Sequence, residues 1–183
     1  MPLFVQEESR RHRVAPWPEC PFWFAVQTRP RHEKRVSLGL REKGLHNFLP
    51  VRQERRQWSD RQKWIELPLF SQYVFVQIAE DAELRTCVLR TSGVVRFAGA
   101  LGRGTPIPDE QIENLRAIME QRIPCTPHEF PKVGERVRIR GGVLNGIEGT
   151  LTAVKNDRSL VVSVDLIQKS IAIRLDGFEV ERV

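Results

Sequence analysis

The last third of the chain consists of short β-branched segments, and this pattern restricts the fold more than any other feature. Between residues 132 and 183, five apolar runs alternate with turns rich in glycine and asparagine. Runs of this length, bounded in this way, are typical of strands rather than helices. We therefore predict a small SH3-like β-barrel whose strands are 136–140, 147–154, 160–164, 170–175 and 178–183.

The first half of the chain alternates strand and helix patterns. Apolar, aromatic runs predict four strands, and two segments with helical spacing lie between them, in the order β-α-β-β-α-β. This order predicts an α+β domain of the ferredoxin-like class over residues 22–121, one sheet with helices on one face. The predicted elements are strand 22–27, helix 31–43, strand 48–51, an exposed hairpin or loop 52–66, strand 69–78, helix 80–90, strand 94–97 and a closing helix 109–121.

Two further segments separate or precede these domains. Residues 1–21 are charged and then interrupted by prolines, so we expect a disordered N-terminal extension. Residues 122–131 contain three prolines and are predicted to be an interdomain linker.

Cysteine content and hydropathy exclude several classes of protein. The three cysteines are widely spaced without a Cys-x-x-Cys pair, so neither a disulfide framework nor a zinc site is predicted. The first residues lack the apolar core of a signal peptide, and no apolar run approaches the roughly 20 residues that span a bilayer. We expect a cytoplasmic monomer without membrane attachment, metal or cofactor.

The strand at residues 69–78 is the most informative segment. Alternation places Phe70, Val74, Val76 and Ile78 on one face of the strand, and Tyr73 and Phe75 on the other. If helices cover only one face of the sheet, Tyr73 and Phe75 form an open aromatic patch for docking an apolar partner. If the hairpin or the last helix lies over them, they are core. Spacing alone favours neither alternative.

Positive charge is concentrated between Arg29 and Lys63, which contains 11 Lys or Arg residues against 4 Asp or Glu. Within this region the segment 52–66 adds two tryptophans, Trp58 and Trp64, to a polar loop. The combination favours contact with nucleic-acid phosphates and bases over a merely solvated hairpin. The candidate contact residues are Arg52, Arg55, Arg56, Arg61 and Lys63. No constellation of nucleophile, base and acid occurs, so we predict that the chain is not an enzyme.

These segments together resemble the NusG family of transcription elongation factors over about residues 22–183. The N-terminal part of the resemblance is carried by Trp23–Lys34, Phe48-Leu49-Pro50, Pro68-Leu69-Phe70 with Tyr73–Val76, and Gly93–Phe97. The C-terminal part is carried by Val133–Ile139, which is similar to the start of a KOW motif, and by the turn glycines that follow it. The resemblance implies an N-terminal NGN domain and a KOW barrel.

The resemblance also implies partners. The family's N-terminal domain bridges the clamp helices of RNA polymerase and the opposite side of the DNA cleft, and favours elongation over pausing. The residues that match its clamp-binding pocket are Phe70, Tyr73 and Phe75. Arg29, Arg31, Arg85 and Thr86 match regions facing non-template DNA or the opposing polymerase loop. Leu144 and Ile147 lie at the barrel loop where the family meets Rho or a small-subunit ribosomal protein.

The sequence departs from the family pattern in two places. The departure in the barrel, together with the segment Trp58–Trp64, resembles specialised paralogues of the UpxY and RfaH type, which are antiterminators acting on selected operons. Ser71-Gln72 replaces the usual Pro-Gly pair, and the end of the barrel, residues 165–175, diverges from housekeeping members. The C-terminal domain of RfaH-type proteins can switch to a helical hairpin. The valine-rich strands here favour a constitutive barrel.

An alternative reading belongs to another functional class. Gln72–Val76 is similar to part of the RNP1 strand of RNA-recognition motifs. The chain would then be an RNA-binding or ribosome-associated protein that combines such a domain with a KOW barrel. Salt-sensitive binding of free RNA in the absence of polymerase would distinguish it from an antiterminator.

Overall fold

The computed structural model describes residues 21–58, 61–131, 134–154, 157–175 and 178–183. Within these residues the chain forms twelve strands and three α-helices, arranged as three sheets. The predicted N-terminal extension lies outside the described residues except for Pro21. No helix in the described ranges is both long enough and apolar enough to cross a membrane.

The first domain is an antiparallel four-stranded sheet with three helices. Its strand order is β2-β5-β1-β6, which places β1 and β5 at the centre. The ferredoxin-like prediction is therefore confirmed. The elements are β1 Phe22–Thr28, α1 Glu33–Glu42, β2 His46–Phe48, β5 Tyr73–Ile78, α2 Ala82–Leu89, β6 Val94–Phe97 and α3 Asp109–Glu120.

Both faces of this sheet are covered, whereas helices were predicted on one face only. Phe24 and Val26 pack in one hydrophobic cluster, together with core residues of α1 and α2. Trp23 and Ala25, which alternate with them along β1, pack in a second cluster with Ile112, Leu115 and Ile118 of α3. The spacing of the apolar residues predicted α3 correctly as a helix, but that spacing does not specify which face of the sheet the helix covers.

The predicted basic hairpin is present. Strands β3 (Val51–Trp58) and β4 (Arg61–Pro68) pair with each other as a separate two-stranded sheet. The predicted strand 48–51 is divided between two sheets: β2 ends at Phe48, and Val51 already begins β3. Pro50 lies between them, and a proline cannot donate the backbone hydrogen bond that a continuous sheet requires.

The C-terminal domain is a six-stranded antiparallel sheet of order β12-β8-β9-β10-β11-β7. It contains one strand more than predicted. Strand β7 (Cys125–Glu129) lies in the range predicted as a linker and pairs with the barrel strand that ends at Arg174. The other strands are β8 Glu135–Arg140, β9 Glu148–Val154, β10 Asp157–Val164, β11 Lys169–Arg174 and β12 Glu179–Arg182.

An ion-pair cluster links β8 to β9 on the barrel surface. Arg136 and Arg138 both contact the carboxylate of Glu148, the former at 3.3 Å. The hydrogen bond from Arg138 is the main reason that the pKa of Glu148 is lowered and that of Arg138 is raised.

We expect Glu148→Gln to lower the free energy of unfolding at pH 7. A carboxyl whose pKa is lower in the folded chain stabilises it fully above the unfolded pKa of about 4.3, and this contribution is lost as the pH falls through the folded pKa. The stability difference between wild type and variant should therefore disappear in acid. Urea denaturation from pH 7 down to about pH 2 measures it. Glu120→Gln, at the exposed end of α3, is the control and should show no such trend.

Candidate binding surfaces

The predicted docking aromatics come together, but two of the three are buried. Phe70 is 1% exposed and Phe75 is 0% exposed, whereas Tyr73 is half-buried. The ring of Phe70 meets that of Phe75 edge-on at 5.9 Å between centroids, and Phe48 stacks on Phe75 at 6.3 Å. Such contacts are typical of a packed aromatic core. Of the two alternatives that the spacing left open, Phe75 therefore follows the core alternative, whereas Tyr73 stays partly accessible.

A turn before β5 explains why Phe70 lies with Phe75 rather than on the opposite face. The strand does not begin at residue 69, because Gln72 adopts a positive φ of 68°. The backbone N–H of Gln72 donates to a carboxyl oxygen of the buried Glu33 side chain at 2.7 Å, and its carbonyl accepts from Thr28 at 2.8 Å. Regular alternation therefore does not extend back through this turn.

The aromatic cluster is continuous with the barrel. Phe70, Phe75 and the α3 core residues belong to one hydrophobic cluster with barrel residues, among them Leu160 and Val164. The face that would stack RNA bases in the alternative reading is thus covered.

Polar contacts reinforce this domain contact. The Gln111 side chain of α3 donates to Asp165 Oδ2 at 3.0 Å, and its Oε1 accepts from the Asp165 backbone N–H at 3.2 Å. On β7, burial raises the pKa of the Cys125 thiol to about 11, and the positive charge of Arg52 at the hairpin base opposes that rise. The Gln111–Asp165 contact therefore joins α3 to the C-terminal domain.

Partly exposed residues lie at the edge of the buried aromatic cluster, and we call them the rim: Arg116, Phe48 and Tyr73. The guanidinium of Arg116 lies 4.8 Å from the ring centroid of Trp23 and 5.4 Å from that of Phe48. It also donates to Nε2 of His46 at 3.2 Å. Tyr73 and Phe48 are the partly accessible aromatics at this rim. Sequence reasoning missed Arg116 and His46, since nothing in their local pattern distinguishes them from other polar surface residues.

The four residues that the resemblance matches to DNA or the opposing polymerase loop differ in their exposure and in the contacts that hold their side chains. Arg29 and Arg31 are exposed in the loop between β1 and α1. Arg85 is held in place: its guanidinium lies 4.8 Å from the ring centroid of Phe24, and it donates to the carbonyl of Arg103. Thr86 is exposed, with its hydroxyl bonded to the Ala82 carbonyl at 2.8 Å.

Some of the basic hairpin residues predicted to contact nucleic acid are exposed to solvent. Arg55 and Lys63 are exposed. Arg52 is half-buried and forms an ion pair with Glu54 at 2.5 Å. The side chains of Arg56 and Arg61 lie outside the described part of the structure. Of the predicted contact set, Arg55 and Lys63 are therefore the described side chains that are exposed, and Trp64 lies directly across the ribbon from Arg55.

The two residues predicted as the barrel's partner contact are both buried, so this prediction was wrong. Leu144 is 1% exposed and Ile147 is 4% exposed. A short 3₁₀ turn at Gly142–Leu144 directs Leu144 inward, and Ile147 is tied to Ile139 by a backbone bond of 2.9 Å. Val143, 59% exposed, is the large apolar side chain that this turn presents to solvent.

Comparisons with known proteins agree with this arrangement. A family profile described as "Transcription termination factor nusG" matches residues 21–116, more than half of the chain. The "Transcription termination/antitermination protein NusG" of Lactococcus lactis is 27% identical over 173 residues, covering 88% of this chain and 92% of that protein. The protein of the same name from Halalkalibacterium halodurans is 24% identical over 175 residues, covering 88% and 98%.

A solved structure shares the fold. The structure described as "Domain interaction in Thermotoga maritima NusG" has a TM-score of 0.56 at 19% identity and covers 89% of this chain and 97% of that one. A ferredoxin-like domain followed by a small barrel, with these sequence matches, defines a two-domain transcription factor. The chain belongs to the NusG family.

We expect Phe75→Ala to lower the free energy of unfolding by about 3–5 kcal/mol, since it leaves a cavity in a fully packed aromatic cluster. Tyr73→Ala should cost clearly less, because that ring is half-exposed. Urea denaturation of both variants measures the difference. Equal costs would contradict the burial described here.

Proposed function

We propose that this chain is a transcription elongation and antitermination factor that binds RNA polymerase at the clamp helices and suppresses pausing or termination on selected operons. The observation that carries the proposal is the aromatic cluster around Phe75, because Phe70, Tyr73 and Phe75 are the residues that the resemblance matches to the family's clamp pocket. Family membership and the relatives' names as termination/antitermination proteins support the general role. The divergent barrel end at residues 165–175 supports the restriction to selected operons.

The burial of Phe70 and Phe75 restricts how the clamp helices can bind this cluster. Phe70 and Phe75 can contact the clamp only if the cluster that extends from them into the barrel is opened. Tyr73 and Phe48, at the rim, are available before opening. The barrel and the polymerase therefore compete for the aromatic cluster. The Gln111–Asp165 contact favours the closed arrangement, in which the barrel packs against this cluster.

The remaining surfaces fit an elongation complex. Arg29 and Arg31 supply exposed positive charge for the non-template DNA strand, and Thr86 lies on a helix that Arg85 anchors to the core. In the barrel, we propose that Val143 takes the place of Leu144 and Ile147 as the apolar contact for Rho or a small-subunit ribosomal protein. All of these partners are cytoplasmic.

We expect Gln111→Ala to raise the affinity for core RNA polymerase by at least about fivefold. The variant removes two hydrogen bonds that hold the closed arrangement, each with a net value of about 0.5–1.5 kcal/mol. Gln121→Ala, which removes an exposed glutamine just after the same helix, is the matched control. Biolayer interferometry with immobilised polymerase measures both.

Tyr73→Ala should lower the affinity in the same assay, alone and combined with Gln111→Ala, because it removes the accessible ring of the proposed pocket. Val143→Ala, an exposed apolar truncation on the barrel, should leave it unchanged. Unaltered polymerase binding by folded Tyr73→Ala, or weaker binding by Gln111→Ala, would contradict docking through this cluster.

A further inference from the structure

A groove lies at one end of the four-stranded sheet, where β1 begins, β5 ends and β2 begins. It is lined by Pro21, Arg41, Gln77 and residues 44–47. Its volume is about 580 Å³, within the range of roughly 300–1,000 Å³ that is usual for sites with an apolar ligand. Among the described strands β2 has no neighbour on its outer side, so an unpaired sheet edge borders the groove. A further segment of chain can cover such an edge.

The lining of the groove suits an apolar partner that carries one negative charge. Its exposed surface is mostly apolar. The side chains of His46 and Gln77 hydrogen-bond to each other at 2.7 Å, and Asn47 accepts from the Ser37 hydroxyl at 2.6 Å. By contrast, Arg41 is exposed, and among the described residues its side chain forms no ion pair. A partner that fits therefore supplies an apolar group for the groove and a carboxylate for Arg41.

The part of the chain that leads into Pro21 has this composition. Residues 15–20 read Ala-Pro-Trp-Pro-Glu-Cys, with one large aromatic residue, Trp17, and one acid, Glu19. Each proline fixes its own φ and restricts the residue before it to extended conformations. A segment of this kind has less conformational entropy to lose when it docks than an ordinary chain of the same length.

The length of this segment matches the distance that it has to cross. Strand β5 lies between β1 and β2, so the groove extends from Pro21 across two interstrand spacings, roughly 10 Å, to β2. Trp17 is four residues before Pro21. An extended chain of that length spans up to about 14 Å. Trp17 can therefore reach the far side of the groove, while Glu19 lies part of the way along it.

We propose that residues 15–20 pack across this end of the sheet, with the Trp17 ring in the groove and the Glu19 carboxylate on Arg41. Burial of the indole supplies most of the contact area, and the ion pair at an exposed site orients the segment. The segment also covers the unpaired edge at β2, and its prolines lack the N–H groups with which another strand would pair. This contact lies within one chain and does not depend on RNA polymerase.

The groove and the rim share a side chain. The His46 ring hydrogen-bonds to Gln77 in the groove and accepts from Arg116 of the rim at 3.2 Å. The guanidinium of Arg116 in turn lies over the rings of Trp23 and Phe48. A segment docked in the groove therefore restricts His46 and lies beside the rim.

The experiment uses the full chain labelled with fluorotryptophan and read by fluorine NMR. Substitution of single tryptophans by phenylalanine assigns the signals. The change in each signal's chemical shift between water and heavy water reports the exposure of that indole ring. Trp23, which is 3% exposed, and Trp64, which is 64% exposed, are the internal references. We expect the isotope shift of Trp17 to be close to that of Trp23 and well below that of Trp64.

Charge reversal tests the assigned pair. Arg41→Glu should raise the isotope shift of Trp17 toward that of Trp64, because it places a second negative charge beside Glu19. Adding Glu19→Arg to Arg41→Glu should restore the protected value, since the charges are then opposite again. Arg35→Glu, the same change at an exposed position of α1 outside the groove, is the matched control and should behave as wild type. Circular dichroism of each variant confirms its folding.

Urea denaturation gives a second measurement that does not depend on the label. Trp17→Ala should lower the urea midpoint of the wild-type chain and leave that of Arg41→Glu unchanged, because the segment is already undocked in the latter. An isotope shift of Trp17 equal to that of Trp64 would overturn the docking. If Glu19→Arg does not restore the protection, the pairing with Arg41 is wrong.

Sedimentation of the same samples distinguishes the source of the segment. A monomer with a protected Trp17 supports docking within one chain. Protection that occurs only in a dimer would overturn that assignment, and would indicate that the groove takes the segment of a second copy.

Discussion

The contact between the buried Glu33 side chain and the backbone of Gln72 determines how the first domain is organised. It holds Gln72 at a positive φ, which few residues other than glycine adopt readily. Because the chain turns there, Phe70 reaches the same side of the sheet as Phe75. The family's usual Pro-Gly would allow this turn through glycine. Here a side chain 39 residues earlier in the sequence supports it, so the register of β5 depends on the first turn of α1.

The aromatic cluster that contains Phe70 and Phe75 packs against parts of the chain outside the four-stranded sheet. Helix α3 covers the part above β1, and the barrel extends the same cluster beyond α3. The two domains consequently share apolar surface although each has its own sheet. In such an arrangement the interface contributes to stability, and any partner that uses the aromatic rings must replace the contacts it displaces.

Much of the fold could be predicted from local sequence pattern. The predictions that the structure corrects failed for physical reasons. The helical spacing of Ile112, Leu115 and Ile118 predicts a helix, but both faces of an antiparallel sheet can accept one. Alternation from Tyr73 to Ile78 is correct, whereas the side taken by Phe70 depends on a contact distant in sequence. Leu144 was assigned to a partner by its loop position. The positive φ angles of Gly141 and Gly142 lead into a 3₁₀ turn that directs it inward, and two adjacent glycines were a signal that the backbone there is not extended.

In the described part of the structure, the hairpin strands pair only with each other and their outer face contributes nothing to either core. Substitutions along that face should therefore be nearly neutral for folding, unlike changes at Phe75 or Leu115. Selection on such a segment therefore acts on its contacts with binding partners and hardly at all on the stability of the fold. A ribbon of this kind can therefore change its surface residues while the scaffold of the domain remains the same.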